Sequence, residues 1–82
     1  MKIVTYTADS VRDLKRHGNV AGRIRKAMAD YALYGIAHAN NVTALVGSVE
    51  KRMRIGDFRA IFIETDDSIT VVKIGPRGSV YD

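Results

Sequence analysis

The feature that most restricts this chain is a change of hydrophobic period near its midpoint. After a short first strand, the apolar residues up to about residue 34 recur at the three-and-four spacing of an amphipathic helix. After residue 48 they fall into short β-branched and aromatic runs separated by turn signals. A chain of 82 residues buries only about 60% of the surface it exposes when unfolded, so both halves must share one core. Helices followed by a run of strands point to an α+β fold rather than to alternating βαβ units. No linker, repeat or low-complexity tract interrupts the chain, and residues 1–82 are expected to form one domain.

The elements follow from local chemistry. Residues 2–7 (KIVTYT) read as a first strand, and Asp9 or Ser10 offers an N-cap for a helix running to about His17. Val11 and Leu14 face inward in that helix, and Gly18 is its expected stop. Asn19 would cap a second helix reaching about Tyr34, with Val20, Ile24, Ala27, Met28 and Tyr31 as its buried stripe. The two make an αα-hairpin jointed at Gly18-Asn19. Residues 36–48 read as a connection with a turn at Asn40-Asn41. Strands are expected over 49–55, 58–64 and 69–74, joined by a Gly56-Asp57 hairpin and a longer polar turn at 65–68. The predicted topology is βααβββ, an antiparallel sheet with the αα-hairpin packed on one face.

Composition sorts the function classes. With 46% hydrophobic and 27% charged residues and one proline, the chain is not disordered. It has no cysteine, which excludes disulfides and thiolate metal sites and makes a cytoplasmic setting the natural expectation. No apolar run approaches the roughly 20 residues that cross a bilayer, no signal-peptide pattern is visible, and no membrane role is expected. Thirteen Lys and Arg against nine Asp and Glu leave a net charge of +4 and a pI near 9.7. A small basic domain of this kind fits a polyanionic partner, nucleic acid first.

Strand parity places that charge. A two-residue loop at Gly56-Asp57 sets Arg54 opposite Arg59 and Arg52 opposite Ile61, so Arg52, Arg54 and Arg59 project from one face. Like charges directly opposite are unfavourable, which asks for nearby carboxylates or a use for the charge. Glu50 alone among the acids has clear parity with that face. Ile61, Ile63, Val72 and Ile74 share it, while Met53, Ile55, Phe58, Ala60, Phe62 and Val71 occupy the other. The helices are expected on the phenylalanine side, leaving the arginine side open. The plain alternative is a solvated strand whose arginines snorkel over apolar neighbours.

The segment from Gly75 to Tyr81 adds a glycine-bearing turn with Arg77 and then Tyr81, a phosphate fork and a stacking ring. A tyrosine so placed is otherwise a core plug. His17 and His38 have no ligand partners at useful spacing, and no P-loop, dinucleotide fingerprint or Ser/His/Asp set is present, so neither metal nor cofactor is expected.

The run from Arg52 to Phe62 resembles the R-x-R-[VI]-G-x-[YF]-R-x-[IV]-[YF] hairpin of the RelE/ParE superfamily of toxin–antitoxin toxins. The turn at Asp66-Asp67, the strand after it, the closing G-x-R-x-x-x-Y and the Ala44-Leu45-Val46-Gly47-Ser48 lead-in continue the resemblance in order. It implies a RelE-like fold and a ribosome-dependent, metal-independent endoribonuclease. In that scheme the 2′-hydroxyl of mRNA attacks the adjacent phosphate. Arg59 and Arg77 would stabilise phosphate charge, Arg52 matches a further basic position, and Tyr81 would stack on or orient a nucleotide. Arg54 aligns with a frequent family arginine, and Arg54 and Lys51 are expected as RNA-binding residues. The family often carries a basic residue, implicated as general base, where this chain has Glu50. That glutamate is either a base or a counter-ion of Arg52 and Arg54.

Three functions remain open on the sequence. The first is an mRNA-cleaving toxin, favoured by the arginine and tyrosine set. The second is a ParE-like toxin acting on gyrase, and the third is a catalytically inactive partner protein of the same fold. The first implies the ribosome and mRNA as partners, together with a cognate antitoxin that is small and acidic and covers the basic face.

Overall fold

The computed structural model describes residues 1–80. Along the chain lie β1 (Ile3–Tyr6), α1 (Ala8–Arg16), α2 (Gly18–Leu33), a 3-10 helix (Gly35–Asn41), β2 (Val42–Ala44), β3 (Glu50–Ile55), β4 (Phe58–Glu64) and β5 (Ser68–Pro76). The α+β class and the placement of both helices on the sheet agree with the sequence reading.

Both helix starts fall earlier than expected. Thr7, not Asp9 or Ser10, caps α1: its Oγ1 accepts from the Ser10 amide at 3.2 Å and donates to the Val72 carbonyl at 3.2 Å. The hydroxyl therefore satisfies an orphan helix donor and ties the helix to β5. Gly18 does not stop a helix but begins α2, and His17 makes the joint at φ −116°, ψ 49°. The His17 imidazole meets the Phe58 ring edge-on with centroids 4.9 Å apart, which seats the joint on the sheet. In α2 the expected stripe faces inward, with Ile24, Ala27, Met28 and Ala32 buried and Val20 and Tyr31 at its margin.

The sheet has one strand more than expected, in the order β1-β5-β4-β3-β2. It is also mixed, because β1 runs parallel to β5 while the other pairs are antiparallel. The extra strand, β2, lies inside the segment read as a plain connection. Three residues are too few to show an alternating pattern, and backbone pairing to β3 forms this strand. The β3–β4 register is the expected one, with Arg54 opposite Arg59 and Arg52 opposite Ile61.

The core is the phenylalanine face against the helices: Met53, Ile55, Ala60, Phe62, Ile69 and Val71 pack on Leu14, Ile24, Ala27 and Met28. Ile74 belongs to this core and not to the arginine face assigned from parity. A bulge explains the reversal. Ile61 pairs with Lys73 and Phe62 with Val71, so Val72 has no opposite number and every later residue of β5 turns over. Past Val71, β5 has no further partner residue on β1, and the buried Asp13 of α1 takes the vacant position, its Oδ2 accepting the Ile74 amide at 2.9 Å. The arginine face is also less open than expected. Ile61 is fully buried, and the chain after β5 folds back so that Val80 lies buried against Gly75. An ideal Cβ at Gly75 would overlap the Val80 Cγ2 and sit 3.0 Å from the Ser79 Oγ, so glycine is what permits this approach. Among the described residues no helix is long and apolar enough to cross a membrane.

Candidate nucleic-acid interface

Three of the arginines expected to share a face do converge. Arg52, Arg54 and Arg59 line a cleft of about 120 Å³ together with Asn40, Asn41 and Thr43. The β3–β4 hairpin supplies the arginines by cross-strand pairing, and Gly56 at φ +58° makes its turn. Arg54 is exposed, Arg52 half-buried and Arg59 buried, so the cleft runs from solvent to a floor. Arg59 is positioned by its own turn, its Nη1 donating to the carbonyls of Phe58 at 3.1 Å and Gly56 at 3.3 Å. A guanidinium fixed in this way loses little freedom when an anion enters, which favours strong charge-assisted bonds.

The amide and hydroxyl partners of the cleft were not legible in the sequence. Asn40 and Asn41 end the 3-10 helix and Thr43 is opposite Arg52 on β2, so backbone pairing of β2 with β3 brings this segment to the arginines. The Asn-Asn pair read as a turn was the only hint. Asparagine and threonine add both donors and acceptors, suited to sugar hydroxyls or base edges beside a phosphate.

The remaining expected residues lie elsewhere. Lys51 is on the helix face, where its Nζ donates to Glu64 Oε1 at 2.8 Å. Glu64 also accepts from Lys2 Nζ at 2.6 Å and from the Tyr31 hydroxyl at 2.7 Å. Burial alone would raise the Glu64 pKa, but the hydrogen bonds from Lys2, Lys51 and Tyr31 overcome it and bring the value down to about 2. Burial, reinforced by the bond to Glu64, pushes Tyr31 up to about 12. Lys51 is thus engaged in a structural network. Glu50 begins β3 and lines a different cleft of about 300 Å³ with Lys73, Ser79 and Val80. Its carboxylate forms no ion pair among the described residues, with either Arg52 or Arg54. Arg77 is exposed and does not line the arginine cleft; its amide donates to the Asp57 carbonyl at 2.7 Å, which holds the segment after β5 beside the hairpin turn. Tyr81 lies outside the described residues.

A wider groove of about 350 Å³ adjoins the cleft and shares Asn41 and Arg54 with it. Arg23 and Lys26 of α2, Asp30, and His38 of the 3-10 helix complete its polar lining. The Lys26 Nζ donates to Asp30 Oδ2 at 2.9 Å, and His38 Nε2 stands 3.9 Å from the same oxygen. That Lys26 bond, with His38 assisting, holds the Asp30 carboxyl below its usual range.

No family model matches the chain. A stretch of 71 residues is 30% identical to 1-deoxy-D-xylulose-5-phosphate synthase from Thiobacillus denitrificans, covering 84% of this chain but spanning only 12% of that protein. Several solved structures match over nearly the whole chain. One is a chain of the Escherichia coli DinJ–YafQ complex, with a TM-score of 0.78 and 13% identity over 100% of both chains. Another belongs to the archaeal RelE–RelB complex from Pyrococcus horikoshii, with a TM-score of 0.76 and 22% identity over 96% of this chain and 98% of that one. YafQ alone matches with a TM-score of 0.65 and 14% identity over 100% of both. Identities this low speak to architecture, and by its architecture the chain has the RelE-like fold.

Proposed function

We propose that this chain is the toxin of a toxin–antitoxin pair and cleaves mRNA bound to the ribosome. The observation that carries the reading is the convergence of Arg52, Arg54 and Arg59 with Asn40, Asn41 and Thr43 in one cleft. The hairpin motif supports it, as does the likeness in fold to chains of toxin–antitoxin complexes. In this reading an RNA phosphate enters the cleft and the neighbouring 2′-oxygen attacks phosphorus. The 5′-oxygen leaves with a proton, and a 2′,3′-cyclic phosphate and a 5′-hydroxyl remain. Arg59 and Arg52 stabilise the extra negative charge that builds on the phosphate oxygens. Glu50 shares the strand and parity of Arg52 but lines a separate cleft, so it serves as base for the 2′-hydroxyl only if the bound RNA reaches that cleft as well. The resemblance implies further contributions from Arg77 and Tyr81, which follow β5 in the sequence.

The antitoxin is the matching partner. The basic cleft is what an acidic segment would cover, and Ile36, Val46 and Val49 are large apolar residues left exposed elsewhere along the chain. The test is a translation assay. Cleavage of ribosome-bound mRNA by wild type, with a loss of about 100-fold or more in Arg52→Gln, is the expected outcome. Intact mRNA alongside stalled gyrase would move the chain to the ParE-like class. Inertness in both assays would leave a non-catalytic partner protein.

A further inference from the structure

The arginine cleft does not end at Arg54. It passes round the end of β3 into the groove between α2 and the 3-10 helix, because β2 stops pairing at Met53 and leaves that corner uncovered. Arg52 of β3 lines the cleft, Arg54 lines both, and Gly56 of the turn lines the groove. Two residues of extended strand span roughly 7 Å, comparable to one phosphate step of a stretched RNA strand.

The charges of the groove are not balanced internally. Its single carboxylate, Asp30, is engaged by Lys26 at 2.9 Å with His38 nearby, which leaves Arg23 and Arg54 facing the space. Among the described residues neither guanidinium has a hydrogen-bond or ion-pair partner. Arg23 is brought there by the hairpin turn itself. An ideal Cβ at Gly56 would stand 2.8 Å from the Arg23 Nη2, so the guanidinium packs where any other residue at the turn would crowd it. Arg23 and Arg54 are thus brought to one space, and like charges held close together are unfavourable.

We propose that this groove is a second phosphate-binding subsite, in which Arg23 and Arg54 hold the single-stranded RNA one step along from the nucleotide in the arginine cleft. The inference rests on the RNA-cleaving reading above. Its occupant is a nucleic-acid strand and not an acidic protein segment, because the groove is continuous with the cleft through Arg54 and Asn41.

The test is equilibrium binding of 2′-O-methylated RNA, which cannot be cleaved, as a dinucleotide and as a hexanucleotide at several salt concentrations. Arg23→Gln is expected to weaken the hexanucleotide about three- to tenfold and to lower its salt slope by about 0.7, while leaving the dinucleotide unchanged. Lys15→Gln, an equal loss of charge on an exposed residue of α1 that lines neither space, should change both by less than about twofold. Arg52→Gln should weaken both RNAs. Thermal melts of each variant confirm that it is folded. If Arg52→Gln weakens binding but Arg23→Gln behaves like Lys15→Gln, the subsite is wrong and the cleft reading stands. An Arg23→Gln loss equal for both lengths also overturns the subsite. If wild type binds neither RNA, the RNA reading fails and the subsite falls with it.

Discussion

Replacing Glu64 with Gln tests whether the network around it is a pH-dependent clamp on the fold. Glu64 ends β4, and its carboxylate joins Lys2 ahead of β1, Lys51 of β3 and Tyr31 of α2. One side chain thus holds two strands, the segment before a third, and a helix. Its folded pKa of about 2 lies below the usual 4.5. Taken at face value that gap is worth about 3 kcal/mol. The Lys2 and Lys51 side chains are 28% and 38% exposed, so screening reduces the net effect to about 1–2 kcal/mol. Because the folded value is depressed, this stability is present above the unfolded pKa and is lost as pH falls from about 4.5 towards 2. Glu64→Gln keeps an acceptor for Tyr31 but removes the charge. It should lower Tm by roughly 4–16 °C at pH 7, with the difference from wild type shrinking steadily below pH 4.5. Urea denaturation at pH 7, 4 and 2.5, with 1 M salt as a second axis, measures it. A gap between the two proteins that stays constant from pH 7 to pH 2.5 would refute the reasoning.

Other expectations follow from single contacts. Asp13→Ala strips the buried acceptor from the Ile74 amide and should cost about 1–3 kcal/mol in chemical denaturation. Asp13→Asn, which can still accept that bond, should lose clearly less; equal losses would remove the bulge from the explanation. Gly75→Ala drives a methyl into Val80 and should destabilise by about 1–3 kcal/mol, with faster protease cleavage after β5 than elsewhere. Lys51→Ala should lower Tm through the Glu64 network and leave RNA affinity within about twofold, whereas Arg52→Gln should weaken RNA binding well beyond that. A binding assay beside a thermal melt separates the two.

The legible part of this protein was the part written in neighbouring residues. Alternation along β3 and β4 and a glycine-containing two-residue turn determined that Arg54 meets Arg59 and that Arg52 shares their face. The three-and-four spacing of Ile24, Ala27 and Met28 determined which side of α2 is buried. These patterns are local, because side-chain direction follows backbone geometry within a few residues. The rest required partners far away in the chain. The bulge at Val72 turned Ile74 into the core, and its freed amide is satisfied by Asp13, 61 residues earlier. Lys51 is held by Glu64, a carboxylate that it shares with Lys2, 62 residues before Glu64 in the chain. Asn40, Asn41 and Thr43 joined the cleft only because backbone pairing made a strand of Val42–Ala44, a segment with no side-chain pattern of its own. The sequence alone determined that the positive charge lies on one hairpin face. Tertiary structure decided that Glu64 holds Lys51, which amide and hydroxyl groups join the arginines in the cleft, and that a groove lined by Arg23 adjoins it, because those outcomes depend on contacts between segments that share no local code.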